Sequence, residues 1–129
     1  MNTQSTTIVN IAQLVETTNF SKLVQMAERP SISQQALVAL AMSDSIEVRQ
    51  AVADHPNVPY MTLVHLAQDT SDDVRFHIAG NHNVPDKILA RLVDDGNPFV
   101  SWRAQKTIER KRAIESDIVA LKEESVQAS

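Results

Sequence analysis

Side chains able to do chemistry are present, but their spacing commits them to little. His77 and His82 stand five residues apart, on different faces of any helix, and the chain has no HExxH motif. His55 and His82 fall in turns, where they could approach each other with Asp54 as a further metal ligand. Turn histidines are more commonly plain polar surface. Serines, histidines and aspartates occur with no nucleophile elbow to link them. The acid pair Asp72-Asp73 suits a helix start, where the macrodipole favours negative charge. Asp94-Asp95 falls at a helix end, where nothing local favours it, and neither pair has the loop spacing of an oxygen-ligated cation site. The chain lacks cysteine, which excludes disulfides, zinc–thiolate sites, cysteine-ligated iron–sulfur clusters and cysteine nucleophiles. Gly80 and Gly96, its only glycines, are too far apart to build a phosphate loop. These residues lead us to expect neither catalysis nor a cofactor.

The elements that carry these residues repeat. When the sequence is shifted by about 26 residues, Val48 meets Val74, Arg49 meets Arg75 and Ala53 meets Ala79. Asn57-Val58-Pro59 meets Asn83-Val84-Pro85, and Leu63, Leu66 and Asp69 meet Leu89, Leu92 and Asp95. The frame extends back through Pro30, Leu37 and Leu40 and forward through Val100 and Ala104. Each unit reads as two short helices. The first starts at polar caps (Ser43-Asp44-Ser45, Thr70-Ser71-Asp72, Asn97 before Pro98) and the second opens at Pro59 or Pro85. Val48, Ala51 and Val52 form one buried stripe, and Leu63, Leu66 and Ala67 the next. Upstream, Ser5–Glu16 and Asn19–Glu28 read as further helices, the latter with Leu23, Met26 and Ala27 inward. A helix from Pro98 meets no glycine or proline and could run to about Glu124. The expected architecture is all-α: about eight helices in a short right-handed α-solenoid of HEAT-like pairs. It is one domain, with a capping helix in 1–19, about three repeats in 20–97, and a partial repeat plus long helix with a frayed end in 98–129.

The run Val48-Arg49, Val52-Ala53, Pro56-Asn57-Val58-Pro59, Leu63 and Leu66-Ala67-Gln68-Asp69 resembles a leucine-rich repeat variant unit. Val74-Arg75, Ile78-Ala79, Asn83-Val84-Pro85, Leu89, Leu92 and Asp95 form a second copy. This family is related in architecture to HEAT and armadillo repeats, and the resemblance covers about two thirds of the chain. It implies a bacterial-type binding protein without catalytic residues. The iron–sulfur cluster of a described member cannot be carried over to a chain without cysteine. HEAT-like families form a ladder in which an acid six residues before an arginine bridges repeats. Asp69 and Arg75 have that spacing, but Ser43 and Ser101 interrupt the series.

The surface gives two competing functions. At roughly 100° per residue, Gln50 lies opposite Val48, and its column continues as Phe76 and Trp102. Both aromatics should face away from the local core, near Arg49, Arg75, Gln105 and Lys106. Aromatics flanked by arginine have the composition of a protein-binding hot spot. On this reading Arg49, Arg75, Phe76, Trp102 and Lys106 contact another protein. The competing reading has Phe76 and Trp102 covered by neighbouring helices and Arg49 and Arg75 in the ladder. The second function is nucleic-acid binding through Arg103, Lys106, Arg110, Lys111 and Arg112, as in HEAT-like DNA glycosylases. The net charge of −4 argues against it. Acids predominate after this block, and Ile114, Ile118 and Leu121 have the spacing of a short helix–helix seam, which suggests a homodimer. The polar start of the chain resembles no signal peptide, and no apolar run approaches a membrane span, so a cytoplasmic protein is expected.

Overall fold

The computed structural model describes residues 20–128. Among them are seven α-helices and no strand. They are α1 (Phe20–Ala27), α2 (Gln34–Leu40), α3 (Ile46–Ala53), α4 (Tyr60–Leu66), α5 (Asp72–Gly80), α6 (Asp86–Leu92) and α7 (Pro98–Ala128). The helix expected over Ser5–Glu16 lies outside the described residues.

The helix starts follow the caps. Hydroxyl oxygens of Ser33 and Ser45 accept the Ala36 and Val48 N–H groups at 3.1 and 3.3 Å, satisfying donors that have no partner within the helix. Asn97 Oδ1 accepts from the Phe99 N–H at 2.9 Å, and Pro98 takes the first position of α7. Pro59 and Pro85 sit one residue earlier than expected, as extended cap residues before α4 and α6. Their fixed φ leads the chain into each helix, but proline supplies no capping side chain.

Consecutive helices from α1 to α6 touch. In addition, α1 packs on α3, α3 on α5, and α5 on α7, while α6 also packs on α7. One hydrophobic cluster runs through them, from Ala27 and Leu37 through Val52, Leu66, Ile78 and Leu89 to Val100 and Ala104. The expected inward stripes are largely observed: Val48, Ala51, Val52, Leu63 and Leu66 are buried, whereas Ala67 is half-buried. Met26 departs from expectation, at 37% exposure. It lines an apolar cleft between α1 and α2 with Phe20, Leu23, Leu40 and Met42, and only Ala27 of α1 is buried.

A column of polar side chains also runs through the interior. His55, Asn81 and Thr107 are buried and stand 26 residues apart in sequence. Each reaches back to a main-chain carbonyl 26 or 28 positions earlier. His55 Nδ1 accepts from the Asn57 N–H at 3.0 Å, while Nε2 lies 2.9 Å from the Arg29 carbonyl oxygen. An N–H only donates and a carbonyl only accepts, so the tautomer that makes both contacts carries its proton on Nε2. Asn81 does the same with an amide: Oδ1 accepts from the Asn83 N–H at 2.9 Å, and Nδ2 donates to the Ala53 oxygen at 2.8 Å. The Thr107 hydroxyl donates to the Ala79 oxygen at 2.5 Å. His55 is therefore a buried fastener between the turn after α3 and the segment after α1, not a surface turn histidine. With both ring nitrogens engaged, it is unavailable to a metal.

Candidate functional site

The cations of the expected binding face are mostly spent inside the fold. Arg49, on α3, holds Asp69 with two prongs: Nε at 2.9 Å from Oδ2 and Nη2 at 3.1 Å from Oδ1. Its Nη1 donates to the Ser43 carbonyl at 2.8 Å. Arg75, on α5, repeats the arrangement with Asp95, at 2.8 and 3.2 Å, and donates from Nη1 to the Asp69 carbonyl at 2.7 Å. The expected ladder pairing of Asp69 with Arg75 is thus corrected. The residue six positions before each arginine offers its carbonyl, and the carboxylate comes from 20 positions after. A serine at 43 therefore leaves no gap, because any residue has a carbonyl. Asp95 also gains the account it lacked at a helix end, since it anchors Arg75 and accepts from the Asn97 N–H at 2.9 Å.

Side-chain exposure is 15% for Arg49 and 19% for Arg75, and 7% and 8% for their acids. Burial pushes the carboxyls of Asp69 and Asp95 upward. Hydrogen bonds from Arg49 or Arg75 and from the Ser71 or Asn97 N–H outweigh it, and both carboxyls are held below their ordinary range. Arg75 is raised, chiefly by its hydrogen bond to Asp95. Neither arginine is free to meet a partner.

The two aromatics of the Gln50 column part company. Phe76 is half-buried against the core, and the Arg103 guanidinium lies over its ring at 4.1 Å from the centroid. Arg103 Nη1 also donates to the Phe76 carbonyl at 3.2 Å. Gly80 makes this possible, because a Cβ there would stand 2.3 Å from the guanidinium carbon. Trp102, one face round α7, remains 56% exposed, with Lys106 Nζ at 5.9 Å from the ring centroid.

Phe99 was not singled out from the sequence, yet it is 72% exposed and lies one turn before Trp102. It lines a cleft between the starts of α5 and α7 with Asp72, Asp73, Phe76, Asn97 and Val100. Position 99 has no aromatic counterpart in the earlier units, where Glu47 and Asp73 stand, so the 26-residue register did not reveal it. The i, i+3 spacing to Trp102 was the signal available. The site is thus Phe99 and Trp102 on the outer side of α7, with Phe76 and Arg103 at its base and Lys106 beside it.

Two more cations of the basic segment are also engaged. Lys106 pairs with Glu109 at 3.2 Å, and Lys111 pairs with Asp86 at 2.6 Å and donates to the Val84 carbonyl at 2.8 Å. Arg110 and Arg112 are exposed. Elsewhere Asp54 meets His77 Nδ1 at 2.8 Å, not His55 and His82, and among the described residues no three His, Asp or Glu side chains converge as metal ligands. The chain matches no protein-family model, curated protein or solved structure. No helix among the described residues is long and apolar enough to cross a membrane.

Proposed function

We propose that this chain is a non-catalytic, cytoplasmic adaptor of the HEAT-like, leucine-rich-repeat-variant kind, a short right-handed α-solenoid that binds another protein. The observation carrying this reading is the pair Phe99 and Trp102, 72% and 56% exposed one turn apart on a helix whose opposite face is firmly packed. A contiguous apolar patch on a packed surface calls for a partner, and aromatic side chains supply most of the energy at such interfaces. The repeated contacts of Arg49 and Arg75, and the column His55, Asn81 and Thr107, support the repeat architecture. They fasten each unit to the next by similar means.

Electrostatics contributes less than the sequence suggests, since Arg49 and Arg75 are committed to acids. Lys106 is the cation placed beside the aromatics. Nucleic-acid binding is the weaker reading, because only Arg110 and Arg112 of the five cations stand clear.

Capture from lysate, comparing the wild type with Phe99→Ser/Trp102→Ser, tests the proposal. A protein retained by the wild type and lost from the variant is expected, with the variant's helicity and melting unchanged. Retention of nucleic acid that is lost at high salt and indifferent to the aromatics would overturn it in favour of the basic segment. A partner retained equally by both proteins would remove the aromatic site.

A further inference from the structure

The packed stripe of α7 does not stop where the body stops. Val100, Ala104, Thr107, Lys111, Ile114, Ile118 and Leu121 follow one another at alternating spacings of four and three, one seam along one side of the helix that is apolar except at Thr107 and Lys111. Val100, Ala104 and Thr107 are buried against the body. Lys111 marks its edge, bonded to the Val84 carbonyl and Asp86 at the start of α6. Beyond it Ile114, Ile118 and Leu121 are 57%, 46% and 64% exposed, and every described side chain from 112 onward is exposed. The overhang is about 17 residues, or roughly 25 Å at 1.5 Å per residue. Most helical stability in proteins comes from packing an apolar face, and this stretch has its apolar face uncovered.

We infer that the overhang pairs with the overhang of a second copy of this chain, antiparallel, along Ile114, Ile118 and Leu121. Two features select this occupant and orientation. The charge is divided along the overhang: Arg110 and Arg112 stand clear at its root, where Lys111 is held by Asp86, and Glu115, Asp117, Glu123 and Glu124 against the single Lys122 make the rest acidic towards its tip. Antiparallel pairing sets root against tip and so cation against acid, whereas parallel pairing sets root on root and tip on tip. The second feature is steric. The seam is the same side of α7 that holds the body, so a parallel partner helix would run into α5 and α6 of the first copy. An antiparallel partner ends near the body's edge. The contact is two-fold symmetric, the closed form commonest among oligomers. Three apolar side chains from each chain make it a small interface, hence a concentration-dependent dimer. The surface is independent of the aromatic site, since Trp102 lies about 200° round the helix from Val100.

Sedimentation velocity of the full chain over a range of concentrations tests this. The wild type is expected to pass from monomer to dimer. Ile118→Asp and, separately, Ile114→Ser are each expected to weaken the dimer by about tenfold or more, with the body's melting midpoint unchanged. Arg110→Glu/Arg112→Glu should also weaken it, and adding Glu123→Arg/Glu124→Arg in the same chain should restore it. A monomer at every concentration, or a dimer indifferent to both isoleucine changes, overturns the pairing. A dimer indifferent to the root reversal overturns the antiparallel orientation.

Discussion

At the scale of single residues, the two arginine–aspartate pairs are the most demanding contacts in the fold. Each is largely removed from water, and each arginine also satisfies a backbone carbonyl. Removing one partner of such a pair leaves the other charge poorly solvated, so Arg75→Ala should destabilise by about 2–4 kcal/mol in urea unfolding. The carboxyls of Asp69 and Asp95 lie below their unfolded values, so the sign of the pH dependence follows. Their contribution is complete above the unfolded value of 3.8 and is lost as pH falls through the folded value. Asp69→Asn/Asp95→Asn should therefore lower the urea midpoint at neutral pH and flatten its decline in acid. An acid decline as steep as that of the wild type would contradict this. Asn81→Ala strips partners from the Asn83 N–H and the Ala53 carbonyl and should cost about 2–3 kcal/mol. Gly80→Ala must push the Arg103 guanidinium off Phe76. In an Arg103→Ala background that conflict is gone, and the same change should be neutral or stabilising by up to about 1 kcal/mol. A double-mutant cycle in thermal melting measures the difference.

At the scale of elements, what the sequence made legible depended on whether the cause was local. Helix starts were legible because a cap and the N–H groups it satisfies lie within three residues, as at Ser45 and Asn97. The buried stripes were legible because burial recurs with the helical period. The ladder partners were misread because Arg49 and Asp69 are separated by a whole helix and two turns, and a spacing of 20 residues has no local signature. The interior column was missed because His55, Asn81 and Thr107 share a register but not a chemistry. Phe76 is covered by Arg103, 27 residues on, in the room Gly80 leaves for it, whereas nothing comparable lies over Trp102. The helical period alone placed both aromatics outward. The long helix was expected to end near Glu124 and continues to Ala128, since nothing in its last turns interrupts it. Its two halves should behave differently in hydrogen exchange. Amides of 98–111 should be protected with the body, whereas those of 112–128 should gain protection only as concentration rises. Equal protection at all concentrations would show an overhang that needs no cover.

At the scale of the whole molecule, the described chain is a packed stack of helices that turns two unlike faces of α7 outward. One carries Phe99 and Trp102; the other continues the core as an uncovered seam. On the proposed reading, the first face binds a different protein and the second a copy of the same chain, so a dimer would present two aromatic sites and bind a multivalent partner more tightly than a monomer does. Trp102 is the chain's only tryptophan, and its emission reports on the proposed site without added labels. The most direct measurement is that emission, with its quenching by acrylamide, in the free chain and after addition of the captured partner. The indole should be solvent-exposed and readily quenched in the free chain, and should shift to the blue and become protected on binding. A tryptophan already shielded in the free chain, or one whose emission and quenching do not change when the partner binds, would contradict the proposed site.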